Sequence, residues 1–280
     1  ATGAGSGAGR NLLANPDFRI ARMVLGTGAP NTRAIDGWFS MAQTTGITVA
    51  QQTNSENGQA TNLRLTQPAA SAQRIGALAW VPSLSSRYLR GSSVVFSGRI
   101  RSSLAQAIRY AILEWTGTAD QVLPTVVNDW TSSSYTAGGF FTASSVVVTA
   151  VGSITPSANV WTDLTAITGT LSGSANNAMV MLWTEGTLAQ NATLDLGKLQ
   201  LEAGSTASVF ERRPLGFERQ MTMDPDPSVL DLNRLVNGAF EFWQASTSLS
   251  ISASTTATAS IYAADQWCME TSANQACTIS

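Results

Sequence analysis

The chain begins the same way twice. Near its start stands Asn11-Leu12-Leu13-Ala14-Asn15-Pro16-Asp17-Phe18, followed by Asp36-Gly37-Trp38. Near its end stands Asn233-Arg234-Leu235-Val236-Asn237-Gly238-Ala239-Phe240, followed by Asp265-Gln266-Trp267. Asn15 and Asn237, like Phe18 and Phe240, lie 222 residues apart; Asp36 and Asp265, like Trp38 and Trp267, lie 229 apart. A repeated opening of this kind predicts two tandem copies of one domain type. Four segments follow: a Gly-rich linker or stem exit at 1–9, a first domain at 10–219, a Pro/acidic linker at 220–232, and the first part of a second domain at 233–280. Residues 233–280 are too few to close a core like that of the first copy. The sequence therefore reads as an excerpt of a longer protein, a reading that its opening at Ala1 rather than Met suits.

Composition narrows the class. Charged residues make up 12% of the 280 residues, about half the usual ~25%, while 32 Ser and 32 Thr account for nearly a quarter. Low charge with many hydroxyls, Val and aromatics favours an extracellular-style β protein, and 44% hydrophobic residues suffice for a core. The net charge of −2 gives no general pull toward nucleic acid. It is unevenly spread: residues 1–109 carry 11 Arg against Asp17, Asp36 and Glu56, whereas residues 110–210 carry Lys198 against seven acids. A sandwich that interleaves strands from both halves would set these charges face to face; a surface with a basic side is the other reading. With no His anywhere, His-based triads and metal sites are excluded from this sequence. No apolar run reaches the ~18 residues of a membrane helix. Cys268 and Cys277 both fall in the second copy, where a local disulfide is one possibility.

From Asn11 onward the pattern is strand and turn. Strands are predicted at 46–53, 62–67, 92–102, 107–115, 145–152, 160–171, 178–184 and 193–202. Over Ser92–Ser102 the residues Val94, Phe96, Gly98 and Ile100 share one parity, and Val95, Ser97, Arg99 and Arg101 form a wet face. Met179–Trp183 is continuously apolar, as in a strand buried on both faces. Leu194 and Leu196 change parity with Leu199 and Leu201 at Gly197-Lys198, which predicts a β-bulge. Arg74–Leu84 is ambiguous between strand and helix. Eight or more short strands over ~200 residues predict an all-β, antiparallel two-sheet sandwich.

The opening NLLANPDF with its DGW, the stretches Trp115–Asp120 and Trp183–Thr187, and the closing Leu199-Gln200-Leu201-Glu202-Ala203-Gly204 followed by Phe210-Glu211-Arg212-Arg213-Pro214 together resemble domains of bacteriophage tail fibres and related virion appendages. The resemblance covers about residues 10–219 and restarts at 233. It implies a jelly-roll fold like that of carbohydrate-binding modules and a place on the virion of a phage or phage-like particle. It also implies a homotrimer or other homo-oligomer, other virion proteins as partners, and host-surface polysaccharide recognition without catalysis. A purely architectural fibre connector and a carbohydrate-binding module of a secreted polysaccharide-degrading enzyme are the alternatives. No nucleic-acid partner and no membrane insertion is expected.

Two sets of candidate residues follow. Trp115, Trp130, Tyr135, Phe140 and Phe141 lie in or beside Gly/Ser/Thr-rich loops, where an aromatic ring can stack on the C–H face of a sugar. Asp120, Asn128 and Asp129 would then serve its hydroxyls. The same rings would equally cover the sandwich edge or meet a neighbouring subunit. Trp38, Trp80, Trp161 and Trp183 stand in strand-like contexts and are expected in the core. The resemblance also makes Asp17, Asp36, Asp195 and Glu202 candidate ligands of a structural calcium ion, because the first and last strands of such folds lie close; Asp36 would alternatively cap the turn before Trp38. No cofactor is otherwise implied. None of the acids is singled out as a hydrolytic pair, and no nucleophile elbow or phosphate loop is present.

Overall fold

The computed structural model describes residues 10–22, 25–53, 61–122 and 124–222, and the short segments 249–251, 259–262, 268–271 and 277–279. The chain divides into two units, Ala1–Asp224 and Pro225–Ser280.

In the first unit the strands are β1 (Gly26–Thr27), β2 (Thr32–Ile35), β3 (Trp38–Ala42), β4 (Thr48–Thr53), β5 (Thr61–Thr66), β6 (Ile75–Trp80), β7 (Ser93–Ser102), β8 (Ile108–Trp115), β9 (Val146–Ile154), β10 (Thr162–Asp163), β11 (Ile167–Thr170), β12 (Asn177–Thr184) and β13 (Thr193–Ala203). Two helices join them, α1 (Ser83–Arg87) and α2 (Leu215–Thr222). Sheet one has the order β1-β4-β5-β13-β7-β10, with β11 also on β7; sheet two has the order β2-β3-β6-β12-β8-β9. Every pairing is antiparallel. The unit is a two-sheet jelly-roll sandwich. The ambiguous stretch 74–84 contains both outcomes, strand β6 and the start of α1.

Strand alternation sends one parity of each sheet into the space between them. Leu63, Leu65, Phe96, Ile100, Val180, Leu182, Leu194 and Leu201 meet there, all fully buried. The bulge in β13 falls where the parity change places it: the register with β7 shifts between Gly197 and Gln200, and Lys198, at φ 48°, carries the left-handed backbone. The extra residue lets Leu199 and Leu201 rejoin Leu194 and Leu196 in one core. Strand β12 is buried along its whole length, as its apolar run predicts. The face of β7 expected to be wet is drier than that. Val95 is 1% exposed, and Arg99 and Arg101 lie over the ring of Trp161 at 5.8 and 5.1 Å.

The uneven charge is consumed by the interleaving of the two halves. Arg64 and Arg101 grip Asp195 at 2.7 Å each, Arg99 meets Asp163 at 2.6 Å, Arg109 meets Glu185 at 2.8 Å, and Arg10 meets Glu202 at 3.4 Å. Each pair joins an early arginine to a late acid.

The closing segment returns to the opening one. Arg213 and Glu218 are 2% and 0% exposed and pair with each other. The Arg213 guanidinium donates to the carbonyls of Asn11 and Leu13, and Glu218 accepts the amide of Asn15 at 2.9 Å. Helix α2 runs to Thr222, so the first three residues of the expected linker belong to this closure.

In the second unit, β14 (Leu249–Ile251) pairs with β17 (Cys277–Ile279), and β15 (Ala259–Tyr262) pairs with β16 (Cys268–Thr271). One pair is nested inside the other, as β2–β3 is nested inside β1–β4. The registers correspond as well. Adding 229 carries Thr32↔Ser40 and Arg33↔Phe39 onto Ile261↔Met269 and Tyr262↔Cys268, both partners in the second unit. Thr27↔Thr48 maps onto Ile251↔Cys277, with 229 between the later residues and 224 between the earlier ones. The landmarks Asn237, Phe240, Asp265 and Trp267, and the side chains of Cys268 and Cys277, lie outside the described residues.

Candidate functional site

Between β8 and β9 the chain makes a 30-residue excursion, 116–145, and lays it on the outer face of sheet two. Most residues of β3, β6, β8 and β12 that point away from the central core are themselves apolar, among them Met41, Leu78, Ala111, Leu113, Trp115, Met179, Met181 and Trp183. Left in water, this face would be an apolar patch of the kind that soluble domains cover. Val122, Val126, Phe140 and Phe141 from the excursion complete it as a second core. Gly76 opposes Trp183 in the β6–β12 register, and a Cβ there would stand 2.9 Å from that of Trp183 and 2.3 Å from the Leu182 carbonyl oxygen.

The excursion is tied by its own backbone. Asn128 N donates to Phe140 O at 2.8 Å, Phe140 N to Ser134 O at 2.7 Å and Thr142 N to Val126 O at 2.9 Å. Phe140 stacks on Trp183 with centroids 4.8 Å apart and planes 20° from parallel. Phe141 meets the same ring edge-on at 5.5 Å. On this base stand two half-buried rings, Trp130 at 5.7 Å from Phe140 and Tyr135 at 5.6 Å from it.

Charged groups frame Tyr135. Arg109, directly opposite Trp183 in the β8–β12 register, holds Glu185 with two hydrogen bonds of 2.9 and 2.8 Å. Its guanidinium also lies 4.4 Å from the Tyr135 ring centroid, and the Tyr135 hydroxyl donates to Glu185 Oε1 at 2.8 Å. The Arg109 hydrogen bonds hold the Glu185 carboxyl below its usual range. Burial, helped by the bond to Glu185, raises the Tyr135 phenol. Asp129, capped by the amide and hydroxyl of Thr131 at 2.8 and 2.7 Å, is likewise lowered, chiefly by those bonds. Arg74 adds positive potential at Asp129, Tyr135 and Glu185. At neutral pH the rim therefore offers two aromatic surfaces, a charged carboxylate, a guanidinium and a protonated phenol. Such a set can exchange hydrogen bonds with the hydroxyls of a ligand and stack on its C–H faces. Neither lowered carboxyl has the raised pKa that a carboxylic general acid needs.

The structure divides the predicted glycan residues. Asn128, Asp129, Trp130 and Tyr135 come together at the rim, Asn128 exposed with its amide on Gly139 O at 3.0 Å. Trp115, Phe140 and Phe141 are 7%, 0% and 0% exposed, so packing closes their faces to a sugar and they belong to the second core. Asp120 lies elsewhere, its carboxylate accepting from Ser83 N at 2.7 Å and Asn177 Nδ2 at 2.8 Å. Arg109 and Glu185 escape sequence reasoning because the strand pairing that brings them to Tyr135 is not written locally. Of the four tryptophans expected in the core, Trp38, Trp161 and Trp183 are buried. Trp80 is half-buried on the outer face, stacked on Phe39 at 4.8 Å.

The calcium set does not fit. Asp17 faces Arg19 at 2.7 Å, Asp36 faces Arg22 at 2.7 Å, Asp195 is shared by Arg64 and Arg101, and Glu202 pairs with Arg10 at 3.4 Å and accepts from Ser208 and Gln200. Each of these carboxylates has a guanidinium beside it, and no three metal-ligating side chains gather among the described residues. A cavity of about 130 Å³ beside Thr32, Arg33 and Ser40 is smaller than the ~300–1,000 Å³ of ordinary ligand pockets.

No family model matches the chain, and no curated protein matches it. Among solved structures, a family 61 carbohydrate-binding module in complex with β-1,4-galactotriose matches with 9% identity and TM-score 0.40, over 70% of this chain and 99% of that one. A putative sugar-binding protein from Bacteroides thetaiotaomicron matches with 12% identity and TM-score 0.42, over 69% and 100%. The enzymatically active domain of bacteriophage CBA120 tailspike protein 4 matches with 9% identity and TM-score 0.37, over 70% of this chain and 22% of that one. At these scores the likenesses add nothing to what strand order and register establish.

Proposed function

We propose that residues 10–222 form a non-catalytic glycan-contact module that reads polysaccharide with the rim of its 116–145 excursion. The observation that carries this reading is the pair of half-buried rings, Trp130 and Tyr135, held on a rigid aromatic base beside the Arg109–Glu185 ion pair. A pyranose would set its C–H face on a ring while its hydroxyls exchange hydrogen bonds with Glu185, Arg109 and Asn128. The rim is built before the ligand arrives, which reduces the ordering cost of binding. The lowered carboxyls of Asp129 and Glu185 support a binding role over a hydrolytic one.

The resemblance of the opening and closing motifs to phage fibre domains places the module, in this reading, on an oligomeric virion appendage that faces the host surface. The matching strand registers of the second unit support a second copy of the module in tandem. Linked weak sites of this kind gain roughly 10²–10⁴ in avidity through effective concentration.

The test is binding of the purified 280-residue chain to a panel of bacterial surface polysaccharides, beside a Trp130→Ala/Tyr135→Ala variant. Saturable binding to one glycan class, lost in a variant that keeps its circular dichroism, supports the reading. Equal binding by both proteins moves the contact away from the rim, and no binding by either favours an architectural connector. Release of reducing ends from any of the polymers would make the module catalytic.

A further inference from the structure

Helix α1 shows two unlike faces. Its inner face is polar and locked: Ser86 Oγ donates to Val81 O at 3.1 Å and accepts from Ala178 N at 2.9 Å, and Ser83 is fastened to Asp120 through both its amide and its hydroxyl. Asn177 completes the anchor, donating to Asp120 and to Val81 O. Its outer face is open and carries two large apolar side chains beside exposed Ser85 and Arg87. Leu84 and Tyr88, four residues apart and so adjacent on the helix surface, are 72% and 83% exposed. The anchored turn thus presents a leucine and a tyrosine to solvent in a fixed position.

The surroundings indicate what they contact. Arg90 is held by Ala175 O at 2.7 Å and by Asn176 Oδ1 at 2.8 Å, and exposed Arg87 approaches the same Asn176 oxygen at 3.5 Å. Asp120, whose carboxylate is engaged by Ser83 and Asn177, is lowered by those bonds and by the positive charge of Arg87. Arg87 and Arg90, both at the Asn176 oxygen, set two positive charges beside the turn. Two side chains are far too little area for a stable protein interface, which needs about 800 Å² per partner, but they match one or two sugar rings.

Resting on the glycan reading above, we infer that the α1 turn is a second contact for the same polymer and selects its acidic residues. The Tyr88 ring stacks on a pyranose face, and Arg87 takes the sugar's carboxylate. Uronate- or sialate-containing polysaccharides are then the ligand class.

The full chain would be titrated with a uronate-containing capsular polysaccharide and with polysialate, each beside its carboxyl-reduced form. Tyr88→Ala, Arg87→Gln and Trp130→Ala variants would be run in parallel. These first two positions are exposed, and an unchanged melting temperature verifies folding. The expected result is tighter binding of an acidic polymer than of its reduced form, with a loss of about tenfold in Tyr88→Ala and Arg87→Gln. Added salt should weaken it. Binding that ignores carboxyl reduction and both α1 variants but falls with Trp130→Ala overturns this inference and leaves the rim reading standing. Absence of binding to every polymer overturns both. A native mass that falls on Tyr88→Ala, with glycan binding unchanged, overturns it in favour of contact between copies of the chain.

Discussion

Asp195 sits 1% exposed on the outer face of sheet one, and its charge is tolerated there only because two arginines share it. Arg64 contributes bonds of 2.7 and 2.9 Å, and Arg101 bonds of 2.9 and 2.7 Å. Asp195→Ala would leave two guanidiniums facing each other across the gap. Breaking a buried pair costs about 3–5 kcal/mol; both arginines here keep partial access to water, so a loss near the lower end is expected in urea denaturation. Replacing Arg64 by Met in the same protein should recover part of it. An unchanged midpoint would mean that the triad is energetically idle. The rim makes a different prediction, one of pH. The Glu185 carboxyl is lowered, so its contribution is present above the unfolded-state value and fades as acid carries the pH down through the folded one. The Tyr135 phenol is raised, so its contribution holds below the unfolded-state value and fades as alkali passes the folded one. Rim binding should thus persist across neutral pH. Glu185→Gln removes both a bond and a charge that favour the protonated phenol, so a tyrosinate absorbance titration should show Tyr135 ionising at lower pH. No change there would detach Tyr135 from Glu185.

The excursion 116–145 shows what an element without regular structure can contribute. Phe140 touches the rings of Trp130, Tyr135, Phe141 and Trp183 and is fully buried. Phe140→Ala should cost about 3–5 kcal/mol and release Trp130, which a red shift in tryptophan fluorescence would report. A surface-loop effect of under 0.5 kcal/mol would contradict the second core. Strands were legible wherever burial is one-sided or complete over a run: the parity of Val94, Phe96 and Ile100, the unbroken apolar stretch of β12, and the parity switch at Gly197-Lys198 each carry their own signal. The excursion was not, because Ser, Thr and Gly between its aromatics imitate a solvent loop. Only the outward apolar residues of β6, β8 and β12 reveal what those aromatics cover. Val95 misled for a related reason: alternation predicts which face a residue takes, not whether a later segment covers that face. The same limit hid Arg109 and Glu185, which adjacent strands β8 and β12 bring to Tyr135 through a register invisible in any local window.

At the scale of the whole first unit, the fold is closed by contacts that span nearly its full length. Leu12 N reaches Leu201 O at 2.8 Å and Leu199 N reaches Pro16 O at 3.0 Å, so the opening segment lies along β13. Arg213 and Glu218 then cross it from the other side. With both side chains buried, this closure satisfies the Asn11 and Leu13 carbonyls and the Asn15 amide, which sheet pairing does not. Arg22 Nη2 on Thr222 O at 2.8 Å extends it through α2. Contacts some 200 residues apart carry a large loop entropy that must be overcome before they reward folding, so the closure belongs late in folding and its loss should mainly speed unfolding. A fragment ending at Asp224 keeps every one of these contacts, whereas one ending at Phe210 loses Arg213 and Glu218 and strands three buried backbone groups. Each such group costs about 1–3 kcal/mol when left unpaired. The fragment 1–224 should therefore unfold cooperatively in urea, while 1–210 should lose at least about 3 kcal/mol and unfold faster. Arg213→Met in the longer fragment should reproduce most of that loss. Equal midpoints for 1–224 and 1–210 would reduce the FERRP segment to a tether. A loss confined to the shorter fragment would establish it as the structural end of the module, the counterpart of the Asn-Leu-Leu opening whose second copy begins Asn233-Arg234-Leu235.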